Sequence, residues 1–318
     1  MERKVLRTGT AAVICALALR LLSGSVLVPA LGRLFQKDRP TSPTSPTAPS
    51  TSVLTETPCP TTPAAPPVFS EEDAQLVEVG GFDGYSVDVS ALLQQPLTWD
   101  LTDGEPAVLI LHSHGTESYT KTEDYQETVD YRTLNTGYNV VSIGDHVAKL
   151  LEAGGIRVIH DRTMHDDASY SNAYFSARDS IEAYLKQYPS IRMVLDIHRD
   201  SAEDSSGNQF RPIVSVANAD AAQLMFVVGT DAGGQSHPRW QQNMALAIKL
   251  HTQLQKQYPG LCRPISLRSS RFNQDLSAGA MLIEVGSAGN TRQEALLAAE
   301  LLAEGILALA HGTAAEIY

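Results

Sequence analysis

Val108-Leu-Ile-Leu-His-Ser-His-Gly-Thr-Glu-Ser118 decides the reading of this chain. Val108 to Leu111 is an apolar run of strand length. The chain then turns polar and offers His112, His114 and Glu117 in quick succession. A buried strand that ends in ligand-type side chains is how an open α/β sheet presents a site at its carboxyl edge. Met193-Val-Leu-Asp-Ile-His198, leading into Arg199 and Asp200, repeats the pattern. So does Met281-Leu-Ile-Glu284, leading into Val285-Gly-Ser287. If the three strands are parallel neighbours, their polar ends converge.

The stretches between them alternate helix and strand. Asn139 is placed to cap a helix carrying Val140, Val141, Ile143, Val147, Leu150 and Leu151, stopped by Gly154-Gly155. Ile156 to His160 reads as a strand, and Asn172 to about Tyr188 as a helix ending before Pro189. Strands at Ile213–Val216, Leu224–Gly229 and Ala280–Val285 and helices at 239–257 and 291–311 complete the series. Tyr85-Ser-Val-Asp-Val-Ser90 alternates like an edge strand. Repeated βα units predict an α/β domain over residues 68–318, a mostly parallel sheet covered by helices on both faces.

Two segments precede it. Residues 1–36 open with Arg3, Lys4 and Arg7 and run through an apolar stretch from about Thr10 to Leu31, interrupted by Arg20. The length predicts a single membrane helix. Arg20 opposes that reading, since a charge at mid-bilayer costs about 2.5–3.5 kcal/mol on insertion scales. A cleaved signal and a surface helix are the alternatives. Residues 37–67 hold nine of the 17 prolines among Ser and Thr, which predicts a disordered, extended tether.

Charge is divided along the chain. Residues 1–39 carry seven basic and two acidic residues, and the remainder 17 and 34. A domain this acidic is a poor polyanion binder, so nucleic acid is not an expected partner. The basic start predicts a cytoplasmic N-terminus, with the folded domain on the extracytoplasmic side of the membrane. The three cysteines have no zinc-site spacing, so a metal would have to use His and carboxylate.

His114-Gly-Thr-Glu117 is such a pair, and His198 is the natural third ligand, with Asp196 beside it to orient it. Strand alternation places His112 on the same face as His114, which keeps His112 in reserve as a ligand. Glu284, inside an otherwise apolar strand, is a general base, half of an ion pair with Arg271 or Arg199, or a strand-end residue in solvent. Arg199 could stabilise an oxyanion, hold a substrate carboxylate or pair with Asp200. Asp161, His165, Asp166, Asp167 and His160 read as a polar loop. Ser113, Ser118 and Ser287 lack a nucleophile elbow.

Five blocks in order carry a resemblance. Leu109–Tyr119, Asn139–Asp145, Asp196–Asp200, Phe272–Asp275 and Leu282–Ser287 resemble the stage II sporulation protein P family, over about residues 80–312. The resemblance implies a zinc N-acetylmuramoyl-L-alanine amidase of peptidoglycan, associated also with cutting peptide cross-links. It implies action in forespore engulfment beside a sporulation lytic transglycosylase D. It places the family's first His on His112 or His114, its second on His198 and its catalytic Glu on Glu284. The carboxylate that broader amidases carry at the following helix start is missing near Asn139, and Glu117 is the nearest replacement. A zinc peptidase of stem peptides and a non-catalytic wall adaptor are the rival readings.

Overall fold

The structure, a computed structural model, describes residues 67–81, 84–97, 100–126 and 130–311. The chain divides into two units, Met1–Pro58 and Cys59–Tyr318, and every described residue belongs to the second. The expected membrane helix, and the tether up to its last residue, lie outside the described residues. Among the described residues no helix is long and apolar enough to cross a membrane.

The elements are, in order, β1 (Val79–Gly81), α1 (Val89–Leu93), β2 (Val108–Leu111), α2 (Val140–Ala153), β3 (Val158–His160), α3 (Ala173–Gln187), β4 (Met193–Asp200), β5 (Ile213–Val216), β6 (Ala219–Ala222), β7 (Leu224–Gly229), α4 (Trp240–Gln257), β8 (Ile265–Arg268), β9 (Ala280–Ser287) and α5 (Arg292–His311). Seven strands form one sheet in the order β1-β8-β7-β9-β4-β2-β3, and β5 pairs with β6 in a separate hairpin. Every pairing in the large sheet is parallel except β7 with β9. The sheet is therefore two parallel blocks running in opposite directions. The α/β expectation holds, with that seam added. Its cause is local: β7 follows a hairpin rather than a crossover helix, so it enters from the opposite edge.

The seam leaves the site intact. β2, β4 and β9 are adjacent and parallel, so their carboxyl ends do converge. Alternation fixes what each strand presents. Ile110, Leu195, Ile197, Ile283 and Val285 are fully buried in the larger core, with Val140, Ile143, Leu302 and Ile306 of α2 and α5. Leu109, Leu111 and Val194 face the other way, toward Ala177 and Ile181 of α3. Each such side chain contributes roughly 1.5–3 kcal/mol on burial. A one-residue slip would exchange the faces and drive Asp196, His198 and Glu284 into the larger core, so hydrophobic burial sets the register of the site.

The Asn139 cap is observed, its side chain accepting from Val141 N at 3.0 Å, and α2 closes at Gly154. Asn172 stands before α3, but its side chain makes no capping hydrogen bond. The edge strand expected at Tyr85–Ser90 is absent. Asp88 instead accepts from Ala91 N at 2.9 Å and starts α1, and the edge strand is Val79–Gly81, paired with β8. The period-2 pattern there was outweighed by a capping Asp followed by Ala-Leu-Leu, both helix signals.

Candidate metal centre and active site

β2 ends at Leu111, and residues 113–116 form a turn. That single fact separates the two histidines that alternation would keep together. His112 still points to the α2 side, as Ile110 does. It is fully buried, with Nδ1 2.9 Å from Ile197 O and Nε2 2.8 Å from His160 Nε2. His160 Nδ1 in turn lies 3.0 Å from Asp145 Oδ1. Both ring nitrogens of His112 are engaged, and His112 stands apart from the metal-capable group. Burial, then the neighbouring His160, holds its pKa down to about 3.

The turn carries His114 and Glu117 to the α3 side, where His198 also points. His114 Nδ1 lies 3.7 Å from Glu117 Oε1, and His198 Nδ1 3.3 Å from Glu117 Oε2. One ligand atom from each of the three residues lies within 4.8 Å of the others, and this is the one such group among the described residues. Bonds of roughly 2.0–2.1 Å in a tetrahedron separate ligands by about 3.4 Å, so the set fits zinc with a position left open. Glu117 O accepts from Val140 N at 2.9 Å. Glu117 thus sits against the start of α2, where the family resemblance leaves no carboxylate in the sequence.

Neighbouring groups hold the set in place. Asp196 Oδ1 lies 2.9 Å from His198 Nε2, and Asp196 accepts from Ser113 N at 2.8 Å and Ser113 Oγ at 2.5 Å. Burial pushes the Asp196 carboxyl up, but His198 and Ser113 outweigh it and hold it at about 2. Burial likewise opposes the charge on Glu117, and His198, Arg199 and His114 overcome it, so its pKa is lowered. Arg199 N donates to Glu117 Oε2 at 3.2 Å. The Arg199 guanidinium donates to Ser118 O at 2.9 Å and Tyr131 O at 2.8 Å. Asp200 pairs with Arg263 instead, at 2.8 Å. Arg199 therefore braces the ligand loop, and it also lines the cavity beside it.

Glu284 is the register partner of His198 across β4 and β9. Its Oε2 is shielded from water and has no hydrogen-bond partner among the described residues. The ion pair weighed for it is not formed; Arg271 pairs with Asp275 at 3.3 Å. Burial pushes its carboxyl up to about 8. An unpartnered carboxyl oxygen on a residue that lines the same cavity as His114, Glu117 and His198 is placed to exchange a proton there.

These residues open into a cavity of about 370 Å3, also lined by Asp130, Arg132, Tyr170 and Tyr174. Sequence reasoning missed all four. Tyr174 stands at the start of α3, edge-on to His114 at 5.2 Å and parallel to His198 at 6.3 Å between ring centres. Burial raises its pKa and keeps its hydroxyl a donor. A Tyr in the first turn of an amphipathic helix gives no signal until the fold places α3 over the sheet edge.

Several of the remaining polar residues have structural partners. Asp166 accepts from Thr116 Oγ1 at 2.6 Å and Arg132 at 2.7 Å, and His165 Nδ1 lies 2.9 Å from Ser176 Oγ. Ser113 is spent on Asp196. In the Arg271–Gln274 segment, Gln274 pins Gly229 N and Val227 O, and Asn273 holds Tyr174 O.

Residues 52–307 match the family described as stage II sporulation protein P. The chain belongs to that family. A curated member, stage II sporulation protein P of Bacillus subtilis (strain 168), is 25% identical over 261 residues, 79% of this chain. The chain spans 61% of that relative's length. Among solved structures, the N-acetylmuramoyl-L-alanine amidase AmiC2 of Nostoc punctiforme is similar with a TM-score of 0.34 and 18% identity, over 63% of this chain and 95% of its own. The N-acetylmuramoyl-L-alanine amidase of Clostridium difficile 630 is similar with a TM-score of 0.37 and 16% identity, over 65% and 95%. Ami1, the N-acetylmuramyl-L-alanine amidase of Mycobacterium smegmatis, gives 0.38 and 14%, over 66% and 98%.

Proposed function

We propose that this chain is a zinc-dependent peptidoglycan hydrolase that cleaves the amide between N-acetylmuramic acid and the stem peptide. It acts from an N-terminal membrane anchor, on the extracytoplasmic side, in forespore engulfment, and a sporulation lytic transglycosylase supplies it with substrate. Family membership and the basic, apolar N-terminus support the setting. One observation carries the chemistry: an unpartnered Glu284 carboxylate oxygen beside His198, within the cavity of the His114–Glu117–His198 group.

His114, Glu117 and His198 would hold the zinc, with Asp196 fixing the His198 ring. When bound, zinc supplies a Lewis acid for the amide carbonyl and lowers the pKa of a water to about 7. Burial alone would keep Glu284 protonated at neutral pH; the charge of a bound zinc would favour the carboxylate, and Glu284 then takes the proton of the attacking water as the C–O bond forms. It returns that proton to the departing nitrogen as the C–N bond breaks, leaving a lactyl carboxylate and a free amine. Tyr174 donates to the carbonyl oxygen as charge develops there. Arg199 keeps Glu117 ionised and the loop closed.

Mass analysis of products from purified peptidoglycan tests this. Amidase action yields muramic acid with a free lactyl carboxylate and intact stem peptides with a new L-alanine terminus. Products opened only within cross-links would replace the reading with that of a stem-peptide peptidase, and no products with zinc bound would overturn catalysis.

A further inference from the structure

The loop facing the ligands is built with strain. Asp130 and Tyr131 both adopt left-handed backbone, at φ 52° and 55°. A left-handed backbone is disfavoured for a residue with a Cβ. The conformation is held by a short ladder against the ligand turn. Ser118 N donates to Tyr131 O at 2.8 Å, Thr133 N donates to Thr116 O at 2.8 Å, and Glu117 and Arg132 form a bridge between them. Arg132 is thereby delivered to the cavity wall opposite Glu117.

Its guanidinium is fixed on three sides. Nε donates to Thr116 Oγ1 at 2.9 Å and Nη2 to Asp166 Oδ2 at 2.7 Å. Its Cζ lies 4.3 Å from the centre of the Tyr170 ring. Tyr170 in turn stacks on His114, 4.1 Å between centres and 13° from parallel. Guanidinium, phenol and ligand imidazole form one stack at the mouth of the cavity. Nη1 has no partner among the described residues, and the side chain is 32% exposed.

The charge around it is one-sided. The cavity is lined by Glu117, Asp130, Asp200 and Glu284, against Arg132 and Arg199. Arg199 spends its guanidinium on Ser118 O, Tyr131 O and Glu117. Arg132 thus presents the open cationic donor in an otherwise acidic wall. Away from the His114–Glu117–His198 group, a carboxylate on a ligand meets Asp130 and Asp200 and is received at Arg132.

Building on the hydrolase reading above, we propose that Arg132, backed by Tyr170, selects substrates that carry a free carboxylate close to the scissile amide. The favoured substrate is an acidic peptide, and its carboxamide counterpart is disfavoured. One aromatic ring separates the guanidinium from the imidazole of His114. An extended chain advances about 3.3–3.6 Å per residue, so a carboxylate one or two residues from the bond reaches Nη1.

The test uses the full chain with zinc and two muramoyl peptides, alike except that the second stem residue is D-glutamate in one and D-isoglutamine in the other. The expected result is kcat/KM at least tenfold higher for the acid, through KM. Arg132→Gln collapses that ratio to near one. Tyr170→Leu, which leaves the Asp166 pair in place, also lowers it. The Glu284→Gln protein, titrated with both peptides by calorimetry, shows the same preference in Kd. Equal kcat/KM for the two peptides in the wild type, or an equal loss on both in Arg132→Gln, overturns the proposal. If neither peptide is cleaved, the hydrolase reading fails instead, and the calorimetric ratio alone decides the role of Arg132.

Discussion

His198 and Glu284 are register partners in the parallel pairing of β4 with β9, so their side chains share a face at the carboxyl edge of the sheet. Hydrophobic burial sets that register, and the chemistry inherits it. Glu284→Gln keeps the shape and the hydrogen-bonding reach but removes the base. Hydrolysis of peptidoglycan is expected to fall about 10²–10⁴-fold, with zinc content unchanged. Rate and metal content measured on the same preparation check this. A rate within tenfold of wild type removes Glu284 from the mechanism.

Gly144 makes room for the His112–His160 pair. A Cβ there would stand 2.6 Å from His112 Nε2 and 2.7 Å from His160 Nε2. Alanine normally favours a helix over glycine by about 1 kcal/mol. Here overpacking, at roughly 1–3 kcal/mol, outweighs that gain. Gly144→Ala is therefore expected to destabilise the domain, as read by urea denaturation. The same change in a His160→Ala background costs less, because one of the two clashing rings is gone. Equal costs in both backgrounds would contradict the packing argument.

Lys249 carries a pH signature far from the site. It is 3% exposed, lines two cavities and donates to Leu93 O. Burial depresses its pKa to about 8. The unfolded chain keeps that proton to about 10.4. Between these values the unfolded state binds more protons, so this residue's contribution to stability rises with pH across about 8 to 10.4. Allowing for solvent screening from the two cavities, the change is up to about 2 kcal/mol. Lys249→Met removes it. The stability of the variant relative to wild type should fall as pH is raised from 7 to 10.5. A pH-independent difference would show that folding leaves the pKa of Lys249 unshifted.

How much of this was legible in sequence follows from particular residues. The runs 108–111, 193–195 and 281–283 are apolar on both sides and lead into polar residues, which announces buried parallel strands and a shared edge. Asn139 and Gly154 mark their helix because capping and termination depend on local chemistry. The reversal between β7 and β9 was not legible, since it rests on a hairpin at Ala217-Asn218, where both residues are left-handed, replacing a crossover helix. Val79–Gly81 and Ile265–Arg268 are too short to show a period. His112 and His114 were separated by the strand ending at Leu111, one residue too early for alternation to hold. The wall of Arg132, Tyr170 and Tyr174 comes from two distant segments and exists only once the chain is folded.

The metal content of the full chain tests the central claim most directly, by mass spectrometry after exposure to zinc and removal of the excess. One zinc per chain is expected in the wild type and in His112→Ala, and loss of it in His114→Ala, Glu117→Ala and His198→Ala. A wild type that holds no zinc, or that loses it with His112→Ala and keeps it with Glu117→Ala, would contradict the site described.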